Sequence, residues 1–263
     1  MNFVGIVLTL SLVSTLATAA QPQSGYDAWA GVSGQSYPLG GTATASGGYG
    51  YELWRNASEE NEPTFWQYGY VRPQLELKSA LLINRVTAAI EVFPVSILGL
   101  TVGGGIDARN YNKFTDFDCS KLLCEQSLSF QFTQARLIAG FGNFVGIITG
   151  RYDWYRAETG TRPFYDEMSY LIGQAGADEL KTLNVLALYR QDDIWGYGAM
   201  ANYQQFIYNA SNNAAMFAIG TYTEGTWRTT IGLGQFHSSH QAQGFAMVFS
   251  MTYIAQKSIG LLD

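Results

Sequence analysis

Residues 71–78 read VRPQLELK, and this stretch decides the fold because apolar and polar side chains alternate along it without a break. A period of two indicates a β-strand, whose successive side chains point to opposite faces. One face of this strand is apolar, and the other carries the charges of Arg72, Glu76 and Lys78. A strand of this kind separates a hydrophobic environment from a polar one.

The same alternation recurs in the segments 85–92, 98–109 and 245–253. Strands that cross a bilayer at a tilt need about 9 to 11 residues, whereas strands of soluble sheets have about 5 to 6. These segments and their neighbours run for about ten residues or more, and aromatic residues gather at their ends, as at membrane interfaces. The sequence therefore predicts an all-β fold, a closed antiparallel up-and-down transmembrane β-barrel, rather than a soluble sandwich.

The composition agrees with a membrane barrel. Only 14% of the 263 residues are charged, against roughly 25% in an ordinary soluble domain. The net charge is −6 and no run of Lys or Arg occurs, which excludes nucleic acid as a partner. After residue 20, no apolar stretch approaches the roughly 18 residues that a membrane helix needs, so a spanning chain must use strands.

The N-terminus indicates export. Residues 4–16 are largely apolar, and residues 17–20 read ATAA, as at the cleavage site of a signal peptide. We expect residues 1–20 to be a cleaved signal peptide and residues 21–263 to form one barrel domain. The alternative is that the first segment stays as a membrane anchor.

Alternation and turn signals predict about twelve strands, within limits of ten and fourteen. The predicted strands are 26–36, 43–54, 65–79, 84–93, 97–109, 127–139, 144–157, 183–191, 196–208, 214–223, 226–237 and 244–255. An even count places both ends of the barrel on the periplasmic side. The two longest connections, 110–126 and 158–182, are then extracellular, and most periplasmic turns are short. Only 55–64 is longer than a periplasmic turn should be.

The last predicted strand carries a known pattern. Gly244 is followed by alternating hydrophobic residues that end on the aromatic Tyr253. This stretch resembles the C-terminal signal of bacterial outer-membrane β-barrels, although the chain continues ten residues beyond Tyr253. The resemblance implies a porin-like barrel in the bacterial outer membrane, in contact with the lipid bilayer and with lipopolysaccharide.

Charged residues on the polar faces of the strands are expected to line the lumen. They are Glu52, Arg72, Glu76, Lys78, Arg85, Glu91, Asp107, Arg109 and Arg228. Charges inside a small barrel pair with each other or meet water. We expect a narrow channel for small polar solutes or ions, without a cofactor. The alternative is a plugged structural or scaffold barrel that binds a protein partner or forms a homo-oligomer.

The connection 158–182 contains the stretch 165–172, which is bounded by Gly173 and predicts a short helix. A loop that folds into the barrel forms a constriction or a plug, whereas a loop on the rim packs there or contacts a partner. Rim packing is the interpretation that we prefer at this point.

A third function, hydrolysis, rests on His237 and Ser239. A histidine next to a serine can activate the hydroxyl group as a nucleophile. The His-x-Ser spacing resembles outer-membrane phospholipase A and lipid A deacylases, and it implies a lipid hydrolase with these two residues as the catalytic pair. However, His240 stands where those enzymes carry asparagine, and no orienting acid is identified. We expect that the protein is not an enzyme.

The only two cysteines, Cys119 and Cys124, lie in one predicted loop. An exported chain can keep such a pair oxidised, and we expect a disulfide. Free thiols are one alternative and metal binding is the other. We expect no metal, because a zinc site needs two further ligands and the histidines are more than a hundred residues away.

Overall fold

The computed structural model describes residues 23–56, 68–80, 83–109, 121–123, 127–157, 161–166 and 168–259. Its strands are β1 (Gly25–Ser36), β2 (Leu39–Arg55), β3 (Tyr68–Ser79), β4 (Ile83–Val95), β5 (Leu98–Arg109), β6 (Leu128–Phe141), β7 (Phe144–Ala157), β8 (Phe164–Asp166), β9 (Leu171–Gly173), β10 (Ala177–Arg190), β11 (Trp195–Phe206), β12 (Asn212–Glu224), β13 (Trp227–Ser238) and β14 (Gln241–Gln256). Within these ranges, the structure contains no helix of the length and apolarity needed to cross a bilayer.

Twelve of the strands form one closed antiparallel barrel, which confirms the predicted fold class and strand count. Each barrel strand pairs with its neighbours along the chain, and pairing between β1 and β14 closes the cylinder. The remaining strands, β8 and β9, form a hairpin between β7 and β10. We call the end of the barrel that holds Gly25 and Gln256 the terminal end, and the opposite end the loop end.

The barrel wall is apolar outside and polar inside. Leu75 and Leu77 face outward and are about half exposed, at 50% and 49%, whereas Arg72 and Lys78 on the same strand are buried in the interior. Similar exposed aliphatic residues occur on most strands, among them Val86, Ile90, Leu100, Val102, Ile148, Leu183, Ile231 and Leu233. Contact between water and a continuous apolar band of this size is unfavourable, whereas its contact with the hydrocarbon core of a membrane is favourable.

Exposed aromatic rings lie on the outer wall toward both ends of the barrel. At the terminal end, Tyr26 packs against Tyr49 and Trp227 against Tyr253, with 4.9 Å between the ring centroids in each pair. Toward the loop end, the exposed rings include those of Trp154, Tyr203 and Phe245. Such belts match the two polar interfaces of a bilayer, where an amphipathic ring is at its most stable.

The connections differ from the prediction in one region. The short turns at the terminal end are as predicted, but β10 begins at Ala177 and not near residue 183, so the strand is longer and the loop shorter. Its start is fixed by Asp178, whose carboxylate accepts hydrogen bonds from the N–H groups of Gln174 and Tyr208, at 2.8 and 3.1 Å.

The helix predicted over residues 165–172 is wrong, because these residues form most of the β8–β9 hairpin. Tyr170 has a φ of 58°, which a right-handed helix does not allow. The predicted signal peptide, the Cys119–Cys124 disulfide and most of the 55–64 connection lie outside the described residues.

Candidate functional site

The β8–β9 hairpin folds into the barrel, and the preferred interpretation of rim packing is therefore wrong. Phe164 and Leu171 are fully buried against an aromatic cluster on the inner faces of β6, β7 and β11. Tyr165 and Tyr170 are buried in a second cluster that includes Phe217 and Phe236. The hairpin thus fills the loop end of the lumen and contacts opposite walls.

Two arginines of the wall hold the hairpin by polar contacts. The Nη2 atom of Arg85 lies 3.2 Å from Oδ1 of Asp166, while its Nε atom donates to Asp107 on the adjacent strand at 2.5 Å. Arg109 donates from Nη2 to the carbonyl oxygen of Tyr165 at 2.6 Å. Arg109 is buried and the side chain of Arg85 is only 11% exposed, so loss of either contact would leave a charge poorly compensated away from bulk water.

The other side of the hairpin is held by residues of the β11–β12 turn and of the start of β12. The backbone N–H of Ile172 donates to Ser211 Oγ at 3.2 Å, and its carbonyl oxygen accepts from Asn209 Nδ2 at 2.8 Å. The buried side chain of Asn213 donates to the carbonyl oxygen of Ser169. The hairpin backbone therefore finds inside the barrel the hydrogen bonds that water would otherwise supply.

The segment after β14 turns back to the terminal end of the lumen. Ser258 Oγ donates to Oδ2 of the buried Asp27 at 2.7 Å. Ile259 is fully buried beside Tyr68, Tyr70 and Phe93, and its N–H donates to the carbonyl oxygen of Gln23 at 3.0 Å. Part of the ten-residue extension beyond Tyr253 therefore covers the terminal end from inside.

A cavity of about 240 Å³ lies inside the barrel and is bordered by the hairpin. Its walls carry charged, amide and hydroxyl side chains, and the hairpin contributes Asp166, Met168 and Ser169 to it. A polar cavity of this size has room for several water molecules or one small solute.

Ion pairs organise the charges around the cavity. Arg72 Nε donates to Asp27 Oδ2 at 2.9 Å, and Arg136 Nη1 donates to Glu91 Oε1 at 3.1 Å. Nearer the loop end, Arg151 Nε donates to Asp153 at 2.9 Å, and Lys78 Nζ lies 3.5 Å from Glu76 Oε1. The Arg151 guanidinium also stacks over the Phe132 ring, 3.7 Å from its centroid. The cavity is highly polar but carries no large excess of either charge.

Five of the nine predicted lumen residues line this cavity, namely Arg72, Glu76, Lys78, Arg85 and Glu91. Asp107 and Arg109 lie inside the barrel at the loop end, against Arg85 and the hairpin. Arg228 lies on β13 at the terminal end and lines a small separate pocket with Asp192 and Asp193. Glu52, near the terminal end of β2, pairs with Arg55 at 3.0 Å and is partly exposed.

The sequence interpretation missed Asp27, Arg136, Arg151, Asp153 and Asp166. Arg136 lies on β6, where Leu128, Phe130 and Phe132 point inward. The apolar face of that strand is thus its inner face near the loop end, because the hairpin supplies apolar partners there. Because this part of β6 is apolar on its inner face, a prediction that places the apolar face of every strand outside assigns the lumen face of β6 wrongly. Pairing of arginine with a carboxylate two residues later, as in Arg151 and Asp153, is the signal that was available.

The proposed catalytic pair is not assembled. His237 is exposed, and Ser239 Oγ accepts the backbone N–H of Asn212 at 3.1 Å. A different pair does form, because His240 Nε2 lies 2.8 Å from Ser211 Oγ. Ser211 is buried and also accepts the Ile172 N–H, so this contact ties the loop-end turns to the hairpin. Partial desolvation lowers the pKa of His240, which is still exposed on one side, below its ordinary value.

Across the described ranges, no group of three or more His, Cys, Asp or Glu side chains is placed to hold a metal ion.

No protein-family model matches the chain, and no curated protein matches it in sequence. Among solved structures, an outer-membrane channel from Pseudomonas putida F1 is similar, with a TM-score of 0.51 over 92% of this chain and 100% of that one, at 11% identity. The KdgM porin has a TM-score of 0.45 at 11% identity and covers 87% of this chain and 98% of its own. The loop L8 deletion mutant of OmpT, an outer membrane protein of Vibrio cholerae, has a TM-score of 0.44 at 9% identity. This likeness covers 88% of this chain and 99% of that one. At 11% identity, the likeness to the Pseudomonas putida channel shows the fold alone, and the fold is that of a bacterial outer-membrane β-barrel.

Proposed function

We propose that the protein is a narrow channel of the bacterial outer membrane that passes small polar solutes or ions. The observation that carries the proposal is the cavity on the barrel interior, which is lined by paired charges and neutral polar side chains. A barrel with a purely structural role can fill its lumen with apolar side chains, which is cheaper than burying ion pairs. Polar walls favour a lumen that holds water.

The hairpin sets the aperture in this proposal. It is held by the Arg85 and Arg109 contacts on one side and by Asn213 on the other. Its strands are three residues long and form a separate two-stranded sheet, so the hairpin can move without opening the pairing of the barrel strands. The C-terminal segment narrows the opposite end, which faces the periplasm when the loop end faces outward.

Potassium chloride efflux from proteoliposomes tests the proposal. The samples are the wild type, a variant in which a short Gly-Ser linker replaces residues 163–174, and an Asp193→Asn control in an exposed turn. We expect efflux from the wild type above that of protein-free vesicles, faster efflux from the hairpin variant and an unchanged rate from the control. If a folded hairpin variant leaks no faster than empty vesicles, the channel is excluded and the scaffold alternative takes its place.

A further inference from the structure

The strand register aligns polar residues in continuous rows on the inner wall. In an antiparallel sheet, directly paired residues point to the same face. One row passes through successive pairs from β3 to β11, namely Arg72, Glu91, Thr101, Gln134, Arg151, Thr182 and Gln204. A second row, two residues away, contains Arg136, Thr149, Asn184 and Asn202. We call these eleven residues the polar track, and all of them line the cavity.

The polar track runs along the barrel axis as well as around it. Glu91 lies near the terminal end of β4, whereas Gln204 lies near the loop end of β11. This climb follows from the tilt of strands in a closed barrel, where a row perpendicular to the strands is a spiral. Beyond Gln204, the row continues to Asn213, which contacts the hairpin. The polar track therefore links the C-terminal segment at one end to the hairpin at the other.

The rows on either side of the polar track are mostly apolar. Toward the loop end, the adjacent row contains Phe132, Leu180 and Phe206, with Asp153 between the first two. Toward the terminal end, the adjacent row contains Ile147, Leu186 and Met200. A solute in the cavity thus meets hydrogen-bonding groups along a stripe and apolar surface beside it.

The charges of the polar track are already neutralised. Its three guanidinium groups, on Arg72, Arg136 and Arg151, face three carboxylates, on Asp27, Glu91 and Asp153. An ion that enters this stripe loses water and finds no unmatched opposite charge. The other members are amides and hydroxyls, which both donate and accept hydrogen bonds.

One amide of the polar track has an oxygen atom without a hydrogen-bond partner among the described residues. Asn202 is 7% exposed, and its Nδ2 donates to Asn184 Oδ1 at 2.6 Å, but its Oδ1 atom has no hydrogen-bond partner among the described residues. A buried polar atom without a partner is costly, so a group that fills this position gains a hydrogen bond. In the hairpin, the Oδ2 atom of the buried Asp166, which also lines the cavity, is a second acceptor of this kind. Both atoms can accept a hydrogen bond from a ligand, and the charge of Asp166 is paired with that of Arg85.

From these observations we infer that the polar track binds small uncharged polyhydroxylated solutes, such as a neutral hexose, in preference to charged solutes of the same size. Hydroxyl groups donate to Asn202 and Asp166 and accept from the arginines, while the C–H faces of the ring pack on the apolar flanks. This inference rests on the proposed channel function, because it names the class of solute that the channel passes.

Saturation-transfer NMR on the purified protein in detergent tests the inference without requiring conduction. The probes are glucose, glucuronate and glucosamine. We expect wild-type protein to bind glucose several-fold more tightly than either charged analogue. The double variant Asn184→Leu/Asn202→Leu should weaken glucose binding about tenfold, since it removes the hydrogen bonds of two side chains. Gln191→Leu, which changes an amide in an exposed turn outside the cavity, is the matched control and should stay within about twofold.

Equal or tighter binding of a charged analogue overturns the inference, and so does wild-type affinity in a double variant whose heat-dependent gel mobility shows that it is folded. Parallel current recordings separate the two proposals. If the protein conducts ions without binding glucose, the inference fails and the channel stands. If it binds glucose without conducting, the channel fails and the polar track is a binding site in a closed barrel.

Discussion

Arg85 on the barrel wall reaches Asp166 on the internal hairpin, with 3.2 Å between Nη2 and Oδ1. The guanidinium group belongs to the wall, because it also pairs with Asp107 on the next strand. The carboxylate of Asp166 is buried and has one atom without a hydrogen-bond partner. This contact joins the fixed part of the lumen to the part that we expect to move.

The Asp166→Ala variant should release the hairpin from the wall. Removing one member of a buried ion pair costs about 3 to 5 kcal/mol of stability. We expect a cost near the lower end of this range, because Arg85 remains paired with Asp107 in the variant. Hydrogen exchange followed by mass spectrometry should show amides of residues 161–176 exchanging about a hundredfold faster. Asp193→Ala is the control. Unchanged protection in Asp166→Ala would show that apolar packing alone holds the hairpin.

The C-terminal segment should be docked by Ile259. Truncation of a buried isoleucine costs about 2 to 5 kcal/mol, so Ile259→Ala should loosen the segment. The readout is the exchange rate of the residue 259 amide, which bonds to Gln23, and it should rise at least tenfold. The exposed neighbour supplies the control variant, Lys257→Ala. Equal rates in the two variants would contradict docking of this segment.

The contact between His240 and Ser211 should make the loop-end turns sensitive to acid. The folded-state pKa of His240 is lowered by burial, so the folded protein favours the neutral ring. The stabilisation is complete above the ordinary pKa of about 6.5 and is lost as the pH falls from there toward the lowered folded-state value.

The measurement for this prediction is amide exchange in residues 207–211 and 239–240 between pH 7.5 and 5.0. Protection in the wild type should fall over that range, beyond the ordinary change in chemical exchange. His240→Gln removes the titrating group, and its protection should be the same at both limits. A wild type that behaves like this variant would exclude the role of His240.

A new charge should reduce the free energy of unfolding more on the outer face of a strand than on its inner face. Leu183 is at the middle of β10 and faces outward, while Asn184 faces the cavity. Leu183→Arg places a charge in the bilayer and should cost about 2 to 4 kcal/mol of unfolding free energy, measured by denaturant titration in lipid vesicles. Asn184→Arg should cost clearly less, because the new side chain meets the polar cavity. Equal losses would contradict the assignment of the faces.

Much of the fold could be predicted because the membrane imposes a simple rule on each strand. Where outer residues meet lipid and inner residues meet the polar cavity, as on β3, the period of two is directly visible. It fails on β6, where Phe130 and Phe132 point inward to cover the hairpin. The local pattern carries no information about a segment that packs from elsewhere in the chain.

The candidate site was predicted only in part for the same reason. Arg72 and Glu91 could be assigned to the interior from their own strands, but their partners Asp27 and Arg136 come from distant ones. The stretch 165–172, bounded by Gly173, was predicted as a short helix, and its burial against the lumen walls favours a hairpin instead. Register and closure of the barrel bring these groups together, and neither can be obtained from one strand.

Single-channel conductance in planar bilayers tests the central claim most directly, with the wild type and Asp166→Ala recorded under the same salt. The account predicts discrete current steps from the wild type, and larger or longer-lived open steps from the variant, because the hairpin no longer narrows the loop end. If neither protein gives current steps although both are shown to be folded and inserted, the account is contradicted and the barrel is closed.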